Sequence, residues 1–165
     1  MLYTKFIAAA ALALSPGIAA RLAHAAPALT VERTGMPSGV IASSASVPDG
    51  MKTVYISGTT PSPLDPAKPE DFGDTRTQTL SVLTKMKAQL ATMGMGMGDI
   101  VKMTVFLVAP TPGGRMDSTA MNDVFKTFFG TAEQPNKPTR STIQIAALGR
   151  PTMYVEIEAI AAKAP

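Results

Sequence analysis

The chain has 165 residues, with 15 Lys and Arg against 12 Asp and Glu, one His and no Cys. That length suits a single domain, and the lack of Cys excludes a disulfide framework, a thiolate nucleophile and any Cys-ligated zinc or iron–sulfur site. Hydrophobic residues at 45% and charged residues at 16% give a globular composition, and 14 Pro with 13 Gly call for many turns.

Residues 1–25 have the order of a cleavable signal peptide: Lys5, an apolar stretch from Phe6 to Ala20, then Ala23-His24-Ala25 as a small-x-small cleavage site. The stretch is shorter than the ~20 residues that cross a bilayer as a permanent helix. The expectation is a periplasmic or secreted protein, free of the membrane after cleavage, with a single domain over residues 26–165; an ordered N-terminal helix or an uncleaved anchor is the alternative. Removing the leader takes Lys5 and Arg21 away, so 13 basic side chains face 12 acidic ones. No Lys/Arg cluster remains to form a phosphate-binding stripe, and no nucleic-acid partner is expected.

Val40–Ser46 and Thr53–Ser57 read as short strands separated by the turn residues Pro48-Asp49-Gly50. A Pro-rich connection follows, from Thr59 to Gly73. Asp74 can cap a helix over Thr75–Met93, whose Leu80, Leu83, Met86 and Leu90 recur at helical spacing. The run Met93-Gly94-Met95-Gly96-Met97-Gly98 closes it, glycine being the residue best suited to the left-handed helix stop. Thioethers are soft ligands and a copper site is the alternative there, but methionines packing around a glycine turn account for the same run.

Asp99–Val108 is apolar on both strand faces, so both need cover. After the Pro110–Arg115 loop, Asp117 or Ser118 can cap a second helix in which Met121, Val124, Phe125, Phe128 and Phe129 fall on one side. Two last strands are expected over Arg140–Ala147 and Thr152–Ala161. The order β-β-α-β-α-β-β is an α+β layer, a single sheet with two helices covering one face.

If the last two strands pair as a hairpin through the Leu148–Pro151 turn, Arg140 faces Glu158 and Thr142 faces Glu156 on the sheet face opposite the helices. One reading is a cross-strand salt bridge. The other is a site in which Arg140 grips a ligand carboxylate through two parallel hydrogen bonds while a glutamate positions water or carries a proton. Periodicity alone does not separate them.

Pro138-Thr139-Arg140-Ser141-Thr142-Ile143, then Ala146-Ala147-Leu148 and Val155-Glu156-Ile157-Glu158-Ala159-Ile160-Ala161, resembles the C-terminal signature of the Rid (YjgF, L-PSP endoribonuclease) family. The likeness extends to Ile56-Ser57-Gly58, Gln78, Leu83, Gly98-Asp99-Ile100-Val101-Lys102, Thr104-Val105-Phe106, and Asn122 with Phe125, Phe128 and Phe129. The resemblance implies a chorismate-mutase-like fold assembled as a homotrimer with clefts between subunits. It also implies hydrolysis of 2-imino acids, such as 2-iminobutanoate and 2-iminopropanoate, to 2-oxo acids and ammonia with no cofactor and no metal. On that resemblance Arg140 binds the carboxylate and Glu156 orients the attacking water. Ser57 and Gly58 line the cleft, Asn122 lies near it, and Thr142 stands where many members carry a cysteine. The tyrosine that often precedes the second strand has no counterpart, its neighbourhood being taken by Ser43, Ser44 and Ser46. A non-catalytic carboxylate-binding trimer is the alternative. A ribonuclease ranks last, because the mature chain has neither clustered cations nor a His pair.

Overall fold

The computed structural model describes residues 29–165, so the signal-peptide reading of residues 1–25 lies outside the described residues. The element order is β1 (Glu32–Thr34), β2 (Ser44–Ser46), β3 (Lys52–Thr59), α1 (Thr75–Thr92), a 3₁₀ turn (Met97–Asp99), β4 (Ile100–Leu107), α2 (Ser118–Phe128), β5 (Thr139–Gln144) and β6 (Val155–Lys163). One four-stranded sheet has the spatial order β3-β6-β4-β5, and α1 and α2 pack together on one face of it.

Each helix starts where a side chain takes over an orphaned backbone donor. Asp74 accepts from Thr77 N at 2.8 Å and Asp117 from Ala120 N at 2.9 Å. The first bond holds the Asp74 carboxyl below its ordinary value. Gly94 ends α1 with φ +69°, in the region that favours glycine. Met95 and Met97 are buried in the core, as the packing reading of that run expects.

Three expectations need correction. Leu80 is half exposed: α1 presents Thr75, Gln78, Thr79, Val82, Leu83, Met86 and Leu90 inward, and Leu80 sits off that face. The segment read as Val40–Ser46 is strand only from Ser44, and it pairs with β1 in a separate two-stranded sheet. Above all, β5 and β6 are not a hairpin. β5 leaves β4 through α2 and returns parallel to it at the sheet edge, while β6 occupies the slot between β3 and β4. The Leu148–Pro151 turn therefore connects strands that have β4 between them.

That topology decides which residues share a face. Met103 pairs with Arg140 and Val105 with Thr142; Met103 and Val105 are fully buried under the helices, so Arg140 and Thr142 point to the helix side. Phe106 pairs with both Ile143 and Glu156, and Thr104 with Ser141 and Glu158, which puts the two glutamates on the open side. The expected gathering of Arg140, Thr142, Glu156 and Glu158 on one face does not occur within one chain.

Candidate active site

Arg140 lies on an edge strand with its side chain directed at α2. Its Nη2 donates to Asn122 Oδ1 at 2.7 Å, its Nη1 lies 3.7 Å from the Met121 sulfur, and the guanidinium carbon sits 4.3 Å from the centre of the Phe125 ring. The α2 periodicity produces this cradle. Met121 and Phe125 are one turn apart on the buried face, and Asn122 follows at its rim. Phe125 also stacks on Phe129 at 4.5 Å between ring centres, which fixes the platform. A cation over a ring face at this distance is attracted by the ring quadrupole.

Among the described residues no carboxylate pairs with Arg140: the ion pairs there are Arg76–Asp123 and Arg150–Glu70, and Arg140 Nε is buried without a partner. Burial pushes the guanidinium below its ordinary value, yet an arginine stays protonated in a protein. The result is a half-buried positive charge with unused donors and no counterion, and such an arrangement is costly unless an anion completes it.

The second cluster is built on β3 and β6. Between Ile56↔Ala159 and Thr59↔Ile157 the register shifts by one, so Ser57 and Gly58 together oppose Glu158 in a β-bulge. Glu156 lies against Gly58 so closely that any Cβ there would collide with its carboxylate. The bulge and the missing side chain together make room for Glu156 on the open face. Beside it, Tyr55, Ser57, Lys102, Thr104, Glu158 and Ile160 line a shallow depression of about 270 Å³.

The residues singled out in the sequence thus fall into two groups. Arg140, Thr142 and Asn122 belong to the helix side at the β5 edge; Ser57, Gly58 and Glu156 belong to the open side at the β3–β6 pair. Sequence reasoning missed Met121 and Phe125 as the seat of the guanidinium. Their spacing marks them as core, and only the α2–β5 packing reveals the second role. Gln78 also gains a part: fully buried, it donates to Gly73 O and Thr152 O and accepts from Tyr154 N, tying α1 to the start of β6.

Residues 41–163 match the family described as Endoribonuclease L-PSP. The chain is 36% identical over 110 residues to the protein named "Putative reactive intermediate deaminase TdcF" of Escherichia coli (strain K12), covering 67% of this chain and 78% of that one. Among solved structures, E. coli TdcF with bound serine superposes with a TM-score of 0.54 at 34% identity, covering 72% of this chain and 85% of that one. The Rid protein YyfB from Yersinia pestis gives a TM-score of 0.60 at 25% identity, covering 74% and 86%. The family match spans most of the described residues, and it takes in the strands and helices that carry both clusters. The chain belongs to the Rid/YjgF (L-PSP) family.

Proposed function

We propose that the protein hydrolyses reactive imines and enamines, and specifically 2-imino acids, to 2-oxo acids and ammonia. The observation that carries the reading is the Arg140 guanidinium, seated on Phe125 and Asn122 with no carboxylate partner. A 2-imino acid supplies the missing anion, and the planar fork binds it through two parallel bonds. The likeness to a relative named for reactive intermediate deamination supports the chemistry.

The protonated imine carbon is already electrophilic. Water adds to C2 while Glu156 accepts one water proton and passes it to nitrogen. Glu156, again a carboxylate, then takes the hydroxyl proton as the C–N bond of the protonated amino alcohol breaks. The 2-oxo acid and ammonia leave, and the proton on Glu156 passes to the ammonia or to solvent. The residues bind, orient and move protons.

Arg140 and Glu156 stand on opposite faces of one sheet, so a site that uses both takes them from two copies of the chain. This supports the homotrimer, with clefts in which the β5 edge of one subunit meets the open face of the next. The open face suits such a contact: Tyr55 is 78% exposed and Ile143 45% exposed there. Thr142 on the Arg140 side and Ser57 with Gly58 on the Glu156 side would complete the cleft. The signal-peptide order of residues 1–25 in the sequence supports export, in which case the imines would arise in the periplasm or outside the cell.

The test is turnover of 2-iminobutanoate generated in situ by an amino-acid oxidase, followed as loss of the imine trapped by semicarbazide. Acceleration over the spontaneous rate is expected; an unchanged rate at micromolar protein overturns the reading. Sedimentation should show a trimer, and a folded monomer at the same concentration removes the shared cleft. Intact mass of protein recovered from its native compartment decides whether residues 1–25 are removed.

A further inference from the structure

We propose that Asn122 is a positioning residue, which holds Arg140 through a neutral acceptor so that the guanidinium keeps its whole charge for an anionic ligand. The inference rests on the reading of Arg140 as the carboxylate anchor.

Every contact of the guanidinium is uncharged. Asn122 Oδ1 takes Nη2, the Met121 thioether faces Nη1, and the Phe125 ring covers one face of the plane. Of five N–H donors, only the one on Asn122 meets a strong acceptor. An aspartate at position 122 would have the same size and make a stronger bond. It would also supply the counterion, and the ligand would then have to compete with a resident carboxylate for the same cation.

The acidic side chains nearest in sequence are turned to other tasks. Asp123, adjacent to Asn122, pairs with Arg76 of α1 at 2.6 Å. Asp117 is occupied as the α2 cap, accepting from Ala120 N. With both carboxylates of this helix engaged elsewhere, Asn122 fixes the guanidinium by direction alone. The Phe125 face fixes its plane; Nε is buried without a partner, and the terminal N–H groups not engaged by Asn122 are left to the ligand.

The experiment compares wild type with Asn122→Asp and Asn122→Leu, measuring imine turnover and the binding of 2-oxobutanoate by calorimetry. Asn122→Asp should fold with a Tm no lower than wild type, bind 2-oxobutanoate about 10-fold more weakly or worse, and raise KM while kcat changes less than about threefold. Asn122→Leu, neutral but without an acceptor, should raise KM less, because only orientation is lost. A folded Asn122→Asp protein that binds 2-oxobutanoate within twofold of wild type overturns the inference. If that variant does not fold, an Asn122→Leu enzyme with unchanged KM overturns it instead. Wild-type protein that binds the oxo acid but leaves imines untouched overturns the deaminase reading alone, and the binding comparison still judges Asn122. Wild-type protein that binds no oxo acid overturns both.

Discussion

Arg140 and Glu156 belong to one sheet but to opposite faces of it: Arg140 shares a row with Met103 under the helices, and Glu156 shares a row with Phe106 on the open side. In a cyclic assembly that takes the arginine from one subunit and the glutamate from its neighbour, two defective chains can repair each other. Co-expression of Arg140→Ala with Glu156→Gln should therefore restore activity that neither variant has alone, with about a quarter of sites intact by random assortment. Activity of the mixture equal to the sum of the separate variants places both residues in one chain's site.

Lysine at position 140 keeps the charge and loses the planar fork, so Arg140→Lys should raise KM by about 10-fold or more with a smaller effect on kcat. Glutamine at 156 keeps the shape and cannot accept a proton, so Glu156→Gln should lower kcat by ~10²-fold or more. Steady-state kinetics on folded protein check both, and two variants indistinguishable from wild type remove these side chains from the chemistry.

Gly58 has an ordinary backbone conformation, so alanine there costs little in strain; its methyl group would instead occupy the space of the Glu156 carboxylate. Gly58→Ala should leave the thermal midpoint nearly unchanged and lower kcat by roughly 10-fold to 10²-fold, the effect of misplacing a reacting group by about 1 Å. A loss of stability without a loss of kcat points to a purely structural glycine.

The fully buried Gln78 makes three part-buried hydrogen bonds with one side-chain amide, donating to Gly73 O and Thr152 O and accepting from Tyr154 N. Gln78→Leu preserves the volume and strands all three backbone groups. At about 1–3 kcal/mol for each unsatisfied group, partly relieved by water, the variant should lose about 3 kcal/mol and its Tm should fall by roughly 10 °C. Thermal denaturation within a degree or two of wild type contradicts this role.

The Asp74 cap gives a pH signature. The bond from Thr77 N lowers the carboxyl's folded-state value, so its contribution to stability is fully present above the unfolded value of about 3.9 and is lost as pH falls through the lower folded value. Asp74→Ala should cost about 1 kcal/mol at pH 7, and the gap between variant and wild type should narrow as the pH falls below the unfolded value and close only below the lowered folded value. Equal denaturation midpoints at pH 7 count against the cap.

Much of this protein is legible in its local chemistry. The bounds of α1 and α2 follow from Asp74, Asp117 and the glycines after each helix, because capping and helix stopping are settled by residues a few positions apart. The inward stripe of α2 is readable for the same reason, and the ordered signature around Arg140 and Glu156 marks the family. Strand neighbours are not legible in this way. The alternation in β5 and β6 is the same whether they pair with each other or both flank β4. A short turn suggests the hairpin, and only the return of the chain through α2 settles the parallel pairing. The face on which Arg140 stands is set by that pairing, as is its seat on Met121, Asn122 and Phe125. Residue identity alone determines which groups carry charge and hydrogen-bonding capacity; the tertiary packing decides which of them meet, because that depends on long-range register and no local preference encodes it.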